Sequence, residues 1–126
     1  MEAQNILLAE DEPIIRMIVE VALCEAGYAV RIAVTGDEAI EHLDEPEQRY
    51  VGVITDIKMP GSAKGWDVAR HARERCPEIA VVYISADGEP EWAAQGVPNS
   101  VFIQKPFADS QVITALATLL NKSSIG

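Results

Sequence analysis

Acidic and basic side chains stand where several apolar runs of this sequence end. Asp56, the pair Glu10 and Asp11, and Lys105 each directly follow a run rich in apolar and β-branched residues, and Ser85 ends a fourth such run. In open α/β sheets, ligands bind and chemistry takes place beyond the carboxyl ends of the strands. The spacing therefore predicts one site that contains three carboxylates, an ammonium group and a hydroxyl, a set suited to phosphate and metal chemistry.

The elements that must position these groups alternate between strand and helix patterns. Strands are predicted at about Asn5–Ala9, Tyr28–Val34, Tyr50–Thr55, Ile79–Ile84 and Ser100–Ile103. Helices are predicted at about Pro13–Ala26, Thr35–Leu43, Gly65–Arg75, Glu91–Gln95 and Asp109–Leu120. This alternation predicts a doubly wound parallel α/β domain. A dinucleotide-binding domain is excluded, because two acids occupy the place of its glycine-rich turn.

Size and charge limit the classes of function. The 126 residues fit one domain, with a core at about 4–121 and a flexible tail at 122–126. The net charge of −10 argues against a nucleic-acid partner. The sequence has neither an 18-residue apolar stretch nor a signal peptide, which predicts a cytoplasmic protein that does not bind a membrane. Cys24 and Cys76 are interpreted as buried free thiols, with a single disulfide between them as the alternative.

Four motifs, in order and at strand ends, carry a resemblance to a known family. They are Glu10-Asp11-Glu12-Pro13, Asp56-Ile57-Lys58-Met59-Pro60, Ser85-Ala86 and Lys105-Pro106-Phe107. Together they closely resemble the receiver domain of two-component response regulators over essentially the whole chain. The resemblance implies a flavodoxin-like three-layer sandwich whose five-stranded sheet has the order 2-1-3-4-5. In that order the switch point lies between strands one and three, which would bring the first two motifs together.

A cation is expected among the carboxylates, because three negative charges close together repel one another by several kcal/mol. Oxygen ligands alone suit Mg²⁺, with Mn²⁺ as the substitute. The resemblance implies that Asp11, Asp56 and the backbone carbonyl of Lys58 bind the metal directly, and that Glu10 acts through water.

The resemblance also assigns roles in phosphoryl transfer. Asp56 would be the phosphoacceptor that attacks a phosphohistidine. Lys105 and Ser85 would bind the phosphoryl oxygens, and Lys105 would precede Pro106 in a cis peptide. Ser85 and Phe102 would then form the conformational switch, in which Phe102 lacks the hydroxyl group of a tyrosine.

The partners implied are a sensor histidine kinase or a histidine phosphotransferase and a downstream protein target, with the chain a monomer or weak dimer. We expect a stand-alone receiver in a phosphorelay, which is not an enzyme beyond self-catalysed transfer and dephosphorylation at Asp56. A receiver cut from a larger regulator or hybrid kinase, or a phosphate sink, is the alternative. An aspartate-nucleophile phosphatase is disfavoured, because Lys58 stands where its general acid would be.

Two departures from the family pattern affect these expectations. Glu10 stands where Asp is more frequent, which bears on how tightly the metal binds. The segment between Ser85 and Lys105 is short and contains Pro90, Gly96 and Pro98, so helix four should be stunted or mobile and could signal by becoming ordered. Trp92 in that helix is a candidate for partner contact, whereas His42 and His71 are interpreted as surface residues.

Overall fold

The computed structural model describes residues 3–87 and 89–125, in which five strands alternate with five helices. The strands are β1 (Asn5–Ala9), β2 (Ala29–Ala33), β3 (Gly52–Asp56), β4 (Ala80–Ser85) and β5 (Ser100–Gln104). The helices are α1 (Pro13–Glu25), α2 (Gly36–Leu43), α3 (Gly65–Arg75), α4 (Glu89–Gln95) and α5 (Asp109–Ile125). Each predicted element is present, and most of the predicted bounds are correct within a few residues.

The strands form one parallel sheet in the order β2-β1-β3-β4-β5, as predicted. The central strands β3 and β4 are buried along their full length, which explains their uninterrupted apolar sequences. The edge strand β2 exposes Arg31 between half-buried neighbours, in agreement with its alternating pattern.

Two hydrophobic cores lie on opposite faces of this sheet, because successive residues of a strand point to opposite sides. Leu7, Val53, Val81, Tyr83 and Trp66 belong to the core on the face that α2 and α3 cover. Ile6, Leu8, Ile54, Ile84 and Leu116 belong to the core on the face that α1 and α5 cover. Both faces are therefore covered by helices, and the sandwich has the predicted three layers.

Helices α4 and α5 differ from their predicted lengths. Helix α4 has seven residues and begins at Glu89, so the prediction of a stunted helix is confirmed, while its mobility stays a prediction. Helix α5 continues to Ile125, five residues beyond the predicted end at Leu120. The apolar periodicity stops at Leu120, but backbone hydrogen bonds extend a helix without an apolar face. The helical backbone therefore includes most of the segment that was predicted to be a flexible tail.

One histidine and both cysteines differ in burial from what the sequence predicted. His42 is buried. Its ring nitrogens have polar partners inside the fold, because they lie 3.2 Å from the carbonyl of Ile32 and 3.0 Å from Glu45 Oε1. The interpretation of His42 as a surface residue was wrong. Cys24 and Cys76 are free thiols as predicted, but Cys24 is exposed on the outer side of α1 and Cys76 is half-buried rather than buried.

Within the described part of the chain, we find no helix both long and apolar enough to cross a lipid bilayer.

Candidate functional site

The register of the sheet brings the predicted site residues to one edge. Thr55 of β3 pairs with Ala9 of β1, so the next residues, Asp56 and Glu10, lie level with each other. Oxygen atoms of Glu10, Asp11 and Asp56 all lie within 4.8 Å of one another. Glu10 and Asp56 are buried, whereas Asp11 is half-buried. The predicted convergence of the three carboxylates is present.

Lys105 closes the other side of this carboxylate cluster. Its Nζ lies 3.0 Å from Asp56 Oδ2, 3.0 Å from Glu10 Oε1 and 2.7 Å from Glu12 Oε1. The backbone N–H of Lys105 donates to the carbonyl of Ser85 at 2.8 Å, and the Lys105–Pro106 peptide is cis. Burial lowers the pKa of Lys105, but the contacts with Glu12, Glu10 and Asp56 outweigh burial and raise its pKa overall. The ammonium group therefore stays charged at neutral pH.

Glu10 carries an electrostatic cost in the cluster, because its charge is buried. Its pKa is raised from 4.5 to about 7, chiefly because burial disfavours the charged carboxylate. The N–H of Glu12, which donates to Oε2 at 3.0 Å, lowers the pKa, the negative charge of Asp56 raises it, and Lys105 lowers it. Oε1 lies near Lys105 but accepts no aligned hydrogen bond. A buried carboxylate oxygen without a hydrogen-bond donor is a natural neighbour for a cation.

The donor set fits a hard divalent cation. Three carboxylates from two adjacent strand ends supply only oxygen ligands, and Asp11 keeps one side of the cluster open to water. Mg²⁺ is commonly bound by one or two carboxylates together with waters and phosphate oxygens. The single ammonium group of Lys105 leaves the cluster with an excess of negative charge, which such a cation would offset.

The loop after β3 holds Asp56 in place. Asp56 Oδ1 accepts from the N–H of Ile57 at 2.6 Å, while Oδ2 faces Lys105. Gly65 at the start of α3 donates its N–H to the carbonyl of Ile57 at 2.9 Å. A Cβ atom on Gly65 would collide with the backbone of Asp56 and Ile57. Glycine is therefore required at position 65 for α3 to pack against the phosphoacceptor candidate.

The remaining candidates lie near the site but make other contacts. Ser85 is buried, and its Oγ accepts from the N–H of Asp87 at 3.3 Å. Phe102 is half-buried, and its ring lies 6.1 Å from the ring of Trp92 between centroids. Trp92 also donates from Nε1 to Ser100 Oγ at 3.0 Å. Phe102 thus connects β5 to the short helix α4.

Sequence reasoning missed the contacts of four side chains that shape the site. Glu12 contacts Lys105, and Lys58 forms an ion pair with Asp87 at 3.2 Å across the two flanking loops. Asp37 on α2 accepts from the N–H groups of residues 62 and 63, at 3.0 and 3.3 Å, and so holds the loop between β3 and α3. Of these, Glu12 and Lys58 could have been suspected, because they lie inside the first two motifs, whereas Asp37 and Asp87 lie outside all four motifs.

A cavity of about 590 Å³ lies between the C-terminal ends of α2 and α3, where Leu43, Tyr50 and Ile79 line it. Tyr50 precedes β3, so this cavity is at the edge of the sheet opposite Asp56. The carboxylate cluster is instead a crevice at the strand ends, which suits a metal ion and a phosphoryl group rather than a bulky organic ligand.

Comparison with known proteins identifies this arrangement. The model of the response regulator receiver domain family matches residues 6–117. A crystal structure of a response regulator receiver protein from Sinorhizobium medicae WSM419 is 44% identical, covers 97% of this chain and 98% of that chain, and superposes with a TM-score of 0.93. The chain belongs to the response regulator receiver domain family.

Longer proteins also contain a similar segment. Sensor kinase CckA of Brucella abortus and the transcriptional regulatory protein ResD of Bacillus subtilis are each 32% identical, over 94% and 95% of this chain. The chain spans 13% of the length of CckA and 49% of the length of ResD. The receiver domain of sensor histidine kinase PA1611 from Pseudomonas aeruginosa shares the fold, with 23% identity, a TM-score of 0.79 and coverage of 94% and 98% of the two chains. That structure has a magnesium ion coordinated in its active-site cleft.

Proposed function

We propose that Asp56 accepts a phosphoryl group from a phosphohistidine in a Mg²⁺-dependent reaction. The observation that carries this proposal is the position of Asp56, a buried carboxylate whose Oδ2 lies 3.0 Å from Lys105 Nζ beside two further carboxylates. An oxygen of Asp56 attacks phosphorus, the bond from phosphorus to the histidine nitrogen breaks, and the imidazole leaves with that electron pair. The product is an aspartyl phosphate.

The neighbouring residues would prepare Asp56 for this attack. Asp11, Asp56 and the carbonyl of Lys58 would bind Mg²⁺, with Glu10 acting through water, and the metal would supply positive charge for the phosphoryl oxygens. The magnesium ion in the receiver domain of PA1611 supports this choice of metal. Lys105 and Ser85 would stabilise the same oxygens as charge shifts during transfer. Lys105 is already directed at Asp56, whereas Ser85 would turn its hydroxyl from the N–H of Asp87.

Intact-mass spectrometry after incubation with acetyl phosphate and Mg²⁺ tests the proposal. We expect the wild-type chain to gain the mass of one phosphoryl group, and we expect no gain in Asp56→Asn or in the presence of EDTA. Asp44→Asn is the matched control, because Asp44 is an exposed carboxylate at the C-terminal end of α2, away from the carboxylate cluster. If no small phosphoryl donor modifies the wild-type chain, the assignment of Asp56 as the phosphoacceptor is wrong.

The outer face of α1 is the surface that we propose for the phosphohistidine donor. It exposes Ile14 (69%), Met17 (58%), Ile18 (44%) and Val21 (49%), which lie on one stripe at helical spacing. The helix begins directly after Glu12, so the stripe starts at the mouth of the crevice. A sensor kinase or phosphotransferase must contact this rim to bring its histidine to Asp56, and exposed apolar area beside a site indicates a protein partner.

Polar substitutions on that stripe should separate protein donors from small ones. We expect Ile14→Ser with Met17→Ser to slow transfer from a phosphorylated histidine phosphotransfer domain by about tenfold or more, because two apolar anchors are lost. Phosphorylation by acetyl phosphate should keep its wild-type rate. Ala94→Ser, an exposed position on α4, serves as the control. Equal slowing with both donors would place the defect in the chemistry and contradict the docking surface.

We further propose that Ser85 and Phe102 pass the phosphorylation state to α4 and a downstream protein. A hydroxyl group drawn toward the phosphoryl oxygens would leave space beside β4, and inward movement of Phe102 would then loosen its contact with Trp92. Amide hydrogen exchange measures this, since α4 is short and depends on that contact. We expect exchange over residues 89–99 to change on phosphorylation in wild type but not in Asp56→Asn. Unchanged exchange in a fully phosphorylated sample would contradict the switch.

A further inference from the structure

Glu12 occupies a position where its side chain would normally stabilise its own helix. It is the N-cap residue of α1, with extended backbone angles of φ −77° and ψ 116°, but its side chain makes no capping hydrogen bond. Instead, Glu12 Oε1 accepts from Lys105 Nζ at 2.7 Å, across 93 residues of sequence. Of the contacts that Lys105 makes with carboxylates, this is the shortest. The side chain of Glu12 is thus directed at the site rather than at the helix.

The carboxylates around Lys105 determine whether Glu12 keeps its contact with Lys105 when Asp56 is phosphorylated. An ammonium group has three N–H donors, and three carboxylates surround Lys105. Two of the donors go to Glu12 Oε1 and Asp56 Oδ2, while Glu10 Oε1 lies 3.0 Å away without an aligned hydrogen bond. Phosphoryl oxygens on Asp56 would enter this crowded shell and compete with the carboxylates for the ammonium group. Glu10 and Asp56 are buried beside the ammonium, whereas the Glu12 side chain is 57% exposed and is readily rehydrated.

We propose that Glu12 is a positioning residue that competes with the phosphoryl group for Lys105. In the unphosphorylated site it holds the lysine over the crevice, and it releases the lysine when phosphoryl oxygens arrive. This inference rests on the proposed role of Asp56 as phosphoacceptor. It predicts that Glu12 limits how fast Asp56 is phosphorylated, both by occupying Lys105 and by repelling an anionic donor.

Competitive labelling with acetic anhydride tests the contact without any phosphoryl transfer. The four lysines of the chain report separately by peptide mass spectrometry, so Lys58, Lys64 and Lys122 are internal standards. In EDTA we expect Glu12→Ala to increase labelling of Lys105 about threefold or more relative to these standards, because its most exposed partner is gone. Glu12→Asp keeps the charge but is one methylene shorter, so it should also increase labelling. Glu25→Ala, at the far end of α1, should leave it unchanged.

Acetyl phosphate then tests the competition. At saturating Mg²⁺ we expect Glu12→Ala to be phosphorylated about fivefold faster than wild type and Glu25→Ala to match wild type. Wild-type labelling of Lys105 in both Glu12 variants would overturn the proposal, as would an unchanged phosphorylation rate in Glu12→Ala. If Asp56 accepts no phosphoryl group in any variant, the proposed function fails, while the labelling result still decides whether Glu12 positions Lys105.

Discussion

Replacing Lys105 by methionine should destabilise the metal-free protein by about 3 kcal/mol at pH 7.5, because removal of one partner leaves buried charges without compensation. Glu10 and Asp56 are both buried, and Lys105 Nζ lies 3.0 Å from an oxygen of each. The loss should be smaller at pH 5, where Glu10, with a pKa of about 7, is protonated and the cluster holds one negative charge fewer. Urea unfolding in EDTA measures the free energy of unfolding at both pH values.

The same variant should lose phosphoryl transfer. At saturating Mg²⁺ we expect Lys105→Met to accept a phosphoryl group from acetyl phosphate about 100-fold more slowly, since a preorganised donor to the developing charge is gone. Mg²⁺ should also reduce the loss of stability, because it adds positive charge to the cluster that the lysine leaves. Lys122→Met, at an exposed position near the end of α5, should resemble wild type in both measurements. A Lys105→Met protein with wild-type stability in EDTA would show that the carboxylates do not depend on this lysine.

Glu10→Gln, unlike Lys105→Met, should stabilise the metal-free protein, and it should gain less stability from Mg²⁺ than wild type gains. The folded protein raises the pKa of Glu10 from 4.5 to about 7, so it favours the protonated carboxyl group. Stability from this preference is fully present below pH 4.5 and is lost as the pH rises through 7. Glutamine is neutral at every pH. We therefore expect Glu10→Gln to be about 1–3 kcal/mol more stable than wild type at pH 8 in EDTA, and about equal to it at pH 5.

Mg²⁺ should reduce the difference in stability between these two proteins. A bound Mg²⁺ would turn the ionised Glu10 from a cost into a favourable neighbour of the cation, so wild type should gain more stability from Mg²⁺ at pH 8 than Glu10→Gln gains. Urea unfolding at pH 5, 6, 7 and 8, with EDTA or Mg²⁺, gives both comparisons. Glu41→Gln changes the net charge equally at an exposed position and should change neither. Equal pH dependence of wild type and Glu10→Gln in EDTA would mean that Glu10 is not the titrating group.

The fold and the position of the carboxylate cluster could be predicted because both depend on strand order. Apolar runs locate the strands, and parallel pairing places Glu10 level with Asp56 whatever the side chains do. The ends of helices were less predictable. Helix α5 continues beyond Leu120 because its last turns need backbone hydrogen bonds rather than an apolar face.

Side-chain contacts between residues far apart in sequence could not be predicted from the sequence. Glu12 was recognised as part of an acidic motif, but its choice of Lys105 over its own helix depends on a side-chain conformation. His42 was misplaced for a similar reason, since its burial depends on the carbonyl of Ile32 in the neighbouring strand. Motif spacing locates a residue at the edge of a sheet, but it does not show which neighbour the residue will bind.

The proposed donor surface on α1 and the proposed output contacts of α4 lie on opposite faces of the sheet. The apolar stripe of α1 belongs to the layer that α1 and α5 form, whereas Trp92 and Phe102 pack against the core on the opposite face. A donor seated on α1 would therefore leave α4 uncovered. We expect that one molecule can hold its donor and its target at once, so that delivery of the signal need not wait for the donor to dissociate.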